Sequence, residues 1–155
     1  MATTSRVPAA VDALLAILRA APALEAVHIV DGPPSVNLTE RQRIYVGWQP
    51  SGEASVALTQ DFAAAGARTR DEAFEIFCYA ESRGGDKDMA LQRTRVFELV
   101  AAVETALRAT DLAPEAPTLN GTVLWSHITA GNLTQQQDQG ALTGLDFTIT
   151  CRARI

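Results

Sequence analysis

Lysine is almost missing from this 155-residue chain. Lys87 stands alone, and the other twelve basic residues are arginine. Eighteen acidic residues outnumber the thirteen basic ones, for a formal charge of −5. A surface that binds duplex nucleic acid neutralises phosphates with basic side chains, so this balance argues against broad duplex binding. Histidine and cysteine are as scarce, with His28, His127, Cys78 and Cys151 making up the whole supply. None of these residues has metal-ligand spacing, and no CxxC pair occurs. In a reducing compartment both cysteines are expected to act as small buried hydrophobes, and only the fold can show whether they lie close. No apolar run approaches the roughly 20 residues that span a bilayer. The N-terminus also lacks a basic segment followed by a signal-type apolar stretch. The expectation is synthesis in the cytoplasm and no membrane partner.

Catalytic signatures are missing too. There is no GxSxG elbow, and Ser126 and His127 are adjacent on an expected strand, where neighbouring side chains point to opposite faces. Gly84-Gly85-Asp86-Lys87 precedes a helical pattern but fits neither GxxxxGK[ST] nor GxGxxG, and its aspartate opposes phosphate. The sequence therefore predicts no catalytic, cofactor-binding or metal-ligating residues, no cofactor and no enzyme. A small ligand-binding or enzymatic domain is the rival, and it needs His28, His127 and a cysteine to converge in a pocket.

What the chain does have is core material, with 47% hydrophobic and 20% charged residues. That suits one domain over residues 1–155, with 1–7 a frayed polar lead. Val11, Leu14, Leu15 and Leu18 recur at helical spacing after Pro8, predicting a helix over 9–20. A strand over 26–30 stops at Asp31-Gly32-Pro33-Pro34, and a polar loop over 35–42 follows. A second strand, 43–48, alternates Ile44, Val46 and Trp48 against Arg43, Tyr45 and Gly47. Strands over 54–60 and 72–80 flank a small, basic connection containing Arg68 and Arg70. The second of these strands is apolar on both faces, as a strand that is central or lies at a subunit contact would be. A helix over 86–109 is expected to bury Leu91, Phe97, Val100 and Leu107, broadened by Val96, Leu99 and Val103. A strand over 122–129, a Gln-rich loop over 134–139 and a long strand over 145–154 complete the chain. In that last strand Leu145, Phe147, Ile149, Cys151 and Ala153 alternate against polar residues.

Helix, four strands, helix, two strands is an order that suits an α+β domain. The expected form is a mixed, largely antiparallel sheet of about six strands with two main helices packed on it. Several features exceed what a monomer needs. Arg68 and Arg70 lie on a long connection, and Tyr45, Trp48 and Trp125 are of the residue type enriched in interface cores. Together they favour a binding or assembly protein over an enzyme.

The order of segments resembles the tail terminator proteins of long-tailed bacteriophages, also called tail completion or head-tail joining proteins. The resemblance rests on the helix with Val11-Asp12-Ala13-Leu14-Leu15 and the strand ending at Asp31-Gly32-Pro33-Pro34. It continues through Arg43-Ile44-Tyr45-Val46-Gly47, Arg70 to Ile76 and the helix containing Arg93-Thr94-Arg95-Val96. It ends with the closing run from Leu145 to Arg154. It implies a structural virion protein of the tail neck, made in a bacterial host from a phage or prophage. Such a protein forms a hexameric ring on the head-proximal end of the tail tube, ends tube polymerisation and presents a surface to the head connector or stopper. The implied partners are further copies of the chain, the tail tube protein, the connector or stopper, and genomic DNA only as it passes through the lumen. Carried onto this sequence, Arg43, Tyr45, Trp48, Arg68 and Arg70 are the candidate ring or tube contacts. Another neck component, a stopper or minor capsid protein, is the nearest alternative.

Overall fold

Helix α1 spans Val7–Ala20 in the computed structural model, which describes residues 4–35, 40–52, 54–62, 64–85, 87–137 and 140–155. Pro8 sits in its first turn, where a missing N–H costs no hydrogen bond, and Ala10, Leu14, Leu15 and Leu18 form its buried stripe. The described part of the expected frayed lead is tied down. Glu72, fully buried on the sheet, accepts hydrogen bonds from the Arg6 backbone N–H (2.8 Å) and the Ser5 hydroxyl (2.6 Å). A carboxylate at a helix start satisfies open donors and complements the helix dipole, which explains a start two residues before the expected one.

After a 3-10 turn at Pro22–Leu24, strand β1 (His28–Asp31) runs parallel to β2 (Gln42–Val46). The sequence placed Trp48 in this second strand, beside Ile44 and Val46. That is corrected: Gly47, at φ +82, ends the strand. Trp48 therefore lands on the opposite face, against Tyr45 and Tyr79. Strand β3 is Val56–Phe62, and β4 is the 14-residue Arg70–Arg83. Helix α2 is Met89–Ala106, capped by Asp88, whose side chain accepts from the Leu91 N–H. Asp86 and half of the expected 35–42 loop, residues 36–39, lie outside the described residues.

Strands β5 (Trp125–Gln137) and β6 (Ala141–Arg154) form a long hairpin. The Gln-rich segment expected as loop belongs to β5 as far as Gln137, and residues 138–139 lie outside the described residues. Its polarity reflects exposure on an edge strand paired along its inner side with β6, not an absence of regular structure.

The six-stranded sheet is ordered β1-β2-β4-β6-β5, with β3 also paired to β4. Strand β4 is central, as its two apolar faces suggested. On one edge it holds β2 at residues 78–82 and β3 at residues 70–76; on the other it holds β6 along its length. All pairings except β1–β2 are antiparallel. The fold is thus the expected α+β arrangement, with both helices on one face. There Phe74, Ile76 and Cys78 of β4 meet Leu145, Phe147, Ile149 and Cys151 of β6 in a core closed by α1 and α2. The expected stripe of α2 is corrected. Gln92, Val96, Leu99 and Val103 face the sheet, whereas Leu91 and Phe97 are 37% and 49% exposed.

Candidate functional site

The face of the sheet away from the helices carries a compact aromatic and charged cluster. Tyr45 of β2 sits directly across from Tyr79 of β4, their ring centroids 5.9 Å apart, and Trp48 packs on both. Beside them Glu81 lies opposite Arg43, with Oε1 2.6 Å from the Arg83 guanidinium and Oε2 3.8 Å from that of Arg43. Burial pushes the Tyr79 hydroxyl up to about 12, aided by the negative charges of Glu81 and Asp146 and opposed by a hydrogen bond with Thr134. Burial also raises Tyr45, against the effect of its hydrogen bond with Arg43. The segment after β2 folds over this face, and the Gln49 side-chain amide donates to the backbone carbonyls of Cys78 and Phe147. Arg43 and Tyr45, expected at an interface, are thus buried within the chain, while Trp48 is half-buried. These three residues come together in space.

Arg68 and Arg70 lie elsewhere, at the β3–β4 hairpin. Arg68 is exposed. Arg70 is half-buried, with its guanidinium carbon 5.8 Å from the centroid of the Phe62 ring and one nitrogen donating to the Thr4 carbonyl at 2.8 Å. Phe62 itself is 61% exposed, and Leu58, on the same face of β3, is 48% exposed. The sequence reading missed this apolar pair because both residues sit in a strand whose partner side chains were unknown. It also missed Glu72 and Glu81. The available signal was phase: Glu72 alternates in step with Phe74, Ile76 and Cys78, so a carboxylate falls on the buried side of the strand.

At the far edge, Trp125 stacks on His127 with centroids 4.7 Å apart. A groove of about 470 Å³ runs between the end of α2 and the start of β5, lined by Glu104, Leu107, Arg108, Pro117, Ser126 and His127 among others. The Ser126 hydroxyl donates to the Pro117 carbonyl, and Glu104 pairs with Arg108 at 2.7 Å. The convergence that a pocket enzyme required does not occur. His28 is on β1 and His127 on β5, at opposite ends of the strand order. Cys78 and Cys151 are free, buried, and four residues out of step on neighbouring strands, about 13 Å along the strand direction. That exceeds disulfide reach. Burial pushes both thiols up to about 12, which keeps them protonated and unreactive. Among the described residues no group of three or more His, Cys, Asp or Glu side chains is placed to hold a metal. No helix of the described residues is long and apolar enough to cross a membrane.

No protein-family model matches the chain, and no curated protein sequence matches it. Among solved structures, the fold is similar to a chain described as part of the virion of a native gene transfer agent particle. The TM-score is 0.61 at 13% sequence identity, over 99% of this chain and 100% of the other. At that identity the likeness is one of fold, and it extends from end to end of both chains.

Proposed function

We propose that this chain is a structural protein of a phage-like virion, related to tail components, and that it works by assembly and not by catalysis. The observation that carries this reading is the full-length likeness of fold to a chain of a gene transfer agent virion, 99% against 100% covered. An enzyme grafted onto the same scaffold would be expected to bring its own site, and fold alone does not specify function. Here the exposed chemistry includes apolar side chains on edge strands and on α2, an arginine-bearing hairpin and a polar long strand. Those features suit protein contacts.

Within that class, the order of segments favours the tail terminator role. In this reading copies of the chain form a ring, six by the family resemblance, at the head-proximal end of the tail tube in the virion neck. The ring ends tube growth and offers its other face to the head connector or stopper, while genomic DNA passes through its lumen. A ring needs each subunit to give one patch and receive another, and a cap needs two unlike faces. The acidic total charge of −5 is compatible with DNA passing through such a lumen without being held there.

The test is negative-stain imaging of the purified chain, alone and mixed with its cognate tail-tube protein. Six-fold rings, or tubes that stop lengthening once capped, are the expected result. A chain that ignores tube ends but binds the connector side instead belongs to another neck component, a stopper or minor capsid protein.

A further inference from the structure

The sheet has two long outer strands that differ in every respect except readiness to pair. Among the described residues, β3 is hydrogen-bonded only to β4, and β5 only to β6. Natural edge strands are usually blunted by charge, proline or brevity. Strand β5 has 13 residues without a single Asp, Glu, Lys, Arg or Pro, and β3 has one charged residue, Asp61, and no proline. Ser55, just before β3, accepts a hydrogen bond from the Phe77 N–H. By the alternation of an antiparallel ladder, residues 56, 58, 60 and 62 then turn their N–H and C=O groups to the open side.

We infer that β3 of one copy pairs with β5 of the next, antiparallel, to form the seam between neighbouring subunits. The inference rests on the ring reading above and names the surfaces that would make the ring. Direction supports it. Strands β3, β4, β6 and β5 are successive antiparallel neighbours. A second copy rotated about an axis roughly along the strands sets its β3 antiparallel to β5, so the alternation continues across the seam. The two edges belong to one chain and are unlike, which is the requirement for a head-to-tail contact that closes.

Side chains over the seam agree. Leu58 and Phe62 project to the helix side of β3, since their partners are the core residue Phe74 and its in-phase neighbour Arg70. On β5, Leu133 faces the same side, opposite the core residue Leu145. Helix α2 turns Arg93 towards this edge, where it bonds Gln135 at 2.8 Å, and Phe97 lies one turn further on. Leu133 and Phe97 are 37% and 49% exposed, against 48% and 61% for Leu58 and Phe62. Phe97 and Glu98 line a shallow depression of about 510 Å³ with Arg93, Thr94 and Ala101. Arg70 lies over the Phe62 ring on the β3 edge, and Glu98 lines the depression beside Phe97 on the β5 edge together with Arg93, so that depression offers one carboxylate for the incoming arginine to meet. A stable interface takes about 800 Å² from each partner. A seven-residue strand is only about 23 Å long, so the seam needs these apolar side chains to complete it.

Two double variants test the pairing: Leu58→Lys with Phe62→Lys on the β3 edge, and Leu133→Lys with Phe97→Lys on the β5 edge. All four side chains are exposed, so circular dichroism melts close to the wild-type melt establish that both variants fold. Native mass spectrometry then follows assembly, alone and on cognate tail tubes. Each variant alone is expected to remain monomeric under conditions in which the wild type forms rings. An equimolar mixture is expected to stop at a 1:1 dimer, because one intact β5 edge meets one intact β3 edge and no further pairing follows. Rings from either variant alone, or full rings from the mixture, overturn the β3–β5 seam while leaving the ring reading in place. A wild type that stays monomeric both alone and on tube ends overturns the ring reading and the seam with it.

Discussion

Gly144 has no side chain because the Tyr79 ring occupies the space where its Cβ would stand. Gly144→Ala forces that ring out of its contact with Tyr45 and Trp48, an overpacking expected to cost about 1–3 kcal/mol in urea unfolding. Truncating Tyr79 in the same chain should recover part of the loss, so the two substitutions together cost less than their sum. The same cluster sets an alkaline limit. The Tyr79 hydroxyl is held up to about 12, and burial holds Cys78 and Cys151 at about 12 as well. Unfolded tyrosine and cysteine lose their protons near pH 10 and about 8.5–9. Across the window up to about 12 the folded chain therefore binds more protons than the unfolded one. By linkage, stability is flat below that window and falls as pH rises through it. Thermal midpoints measured from pH 8 to pH 11 should decline, and Tyr79→Phe should make the decline shallower above pH 10. None of this was visible in the sequence, which showed Tyr79 as one alternating residue and gave no hint that Gly144 lay under it.

At the scale of elements, α2 shows where periodicity reaches its limit. Leu91, Val96, Phe97, Leu99, Val100, Val103 and Leu107 surround so much of the helix that no single stripe stands out. The buried face is decided by the sheet, and it contains a polar residue, Gln92. The Ser82 hydroxyl donates to its side-chain oxygen at 2.8 Å, and Thr143 donates to its backbone carbonyl at 2.9 Å. A polar group with its partners supplied is tolerated in a core position, whereas hydrophobicity alone ranks it outside. Leu99→Ala is expected to cost about 2–5 kcal/mol, and Phe97→Ala to stay within about 0.5 kcal/mol. Equilibrium denaturation of the two variants distinguishes the observed face from the one periodicity suggested. Helix α1 was far easier to read, because its apolar residues form one stripe and Pro8 marks its start. The final strand was legible for the same reason, with strict alternation leaving one choice of face.

For the whole molecule, the functional reading depends on what the fold leaves exposed. Of the five candidate contact residues, Arg43 and Tyr45 are consumed inside the chain, Trp48 and Arg70 are partly covered, and Arg68 is exposed on the hairpin. Arg68→Glu should accordingly leave the thermal midpoint within about 2 °C of wild type. In the assembly reading it should still reduce capping of tail tubes, which a tube-length assay by electron microscopy would register. An unchanged length distribution would remove Arg68 from the contact set. The aromatic cluster forms a second, smaller packing layer on the far face of the sheet, with Trp48 left partly exposed at its surface. It holds the segment after β2 in place and thereby shapes whatever that face presents.

Element types and their order were settled by local physics. Apolar spacing near 3.6 or 2, a proline at a helix start and glycine or proline pairs at turns act over a few residues, and the chain carries those signals in plain form. That was enough for an α+β sheet with two helices, and for the absence of recognisable catalytic spacing. Tertiary structure decided the rest. It determined that β2 and β3 share one edge of β4, that Trp48 crosses to the other face after Gly47, and that Glu72 anchors α1. It also left β3 and β5 as the two long outer strands. Each of these depends on contacts between residues far apart in the chain, and such contacts are set by which surfaces remain to be buried once the local elements have formed.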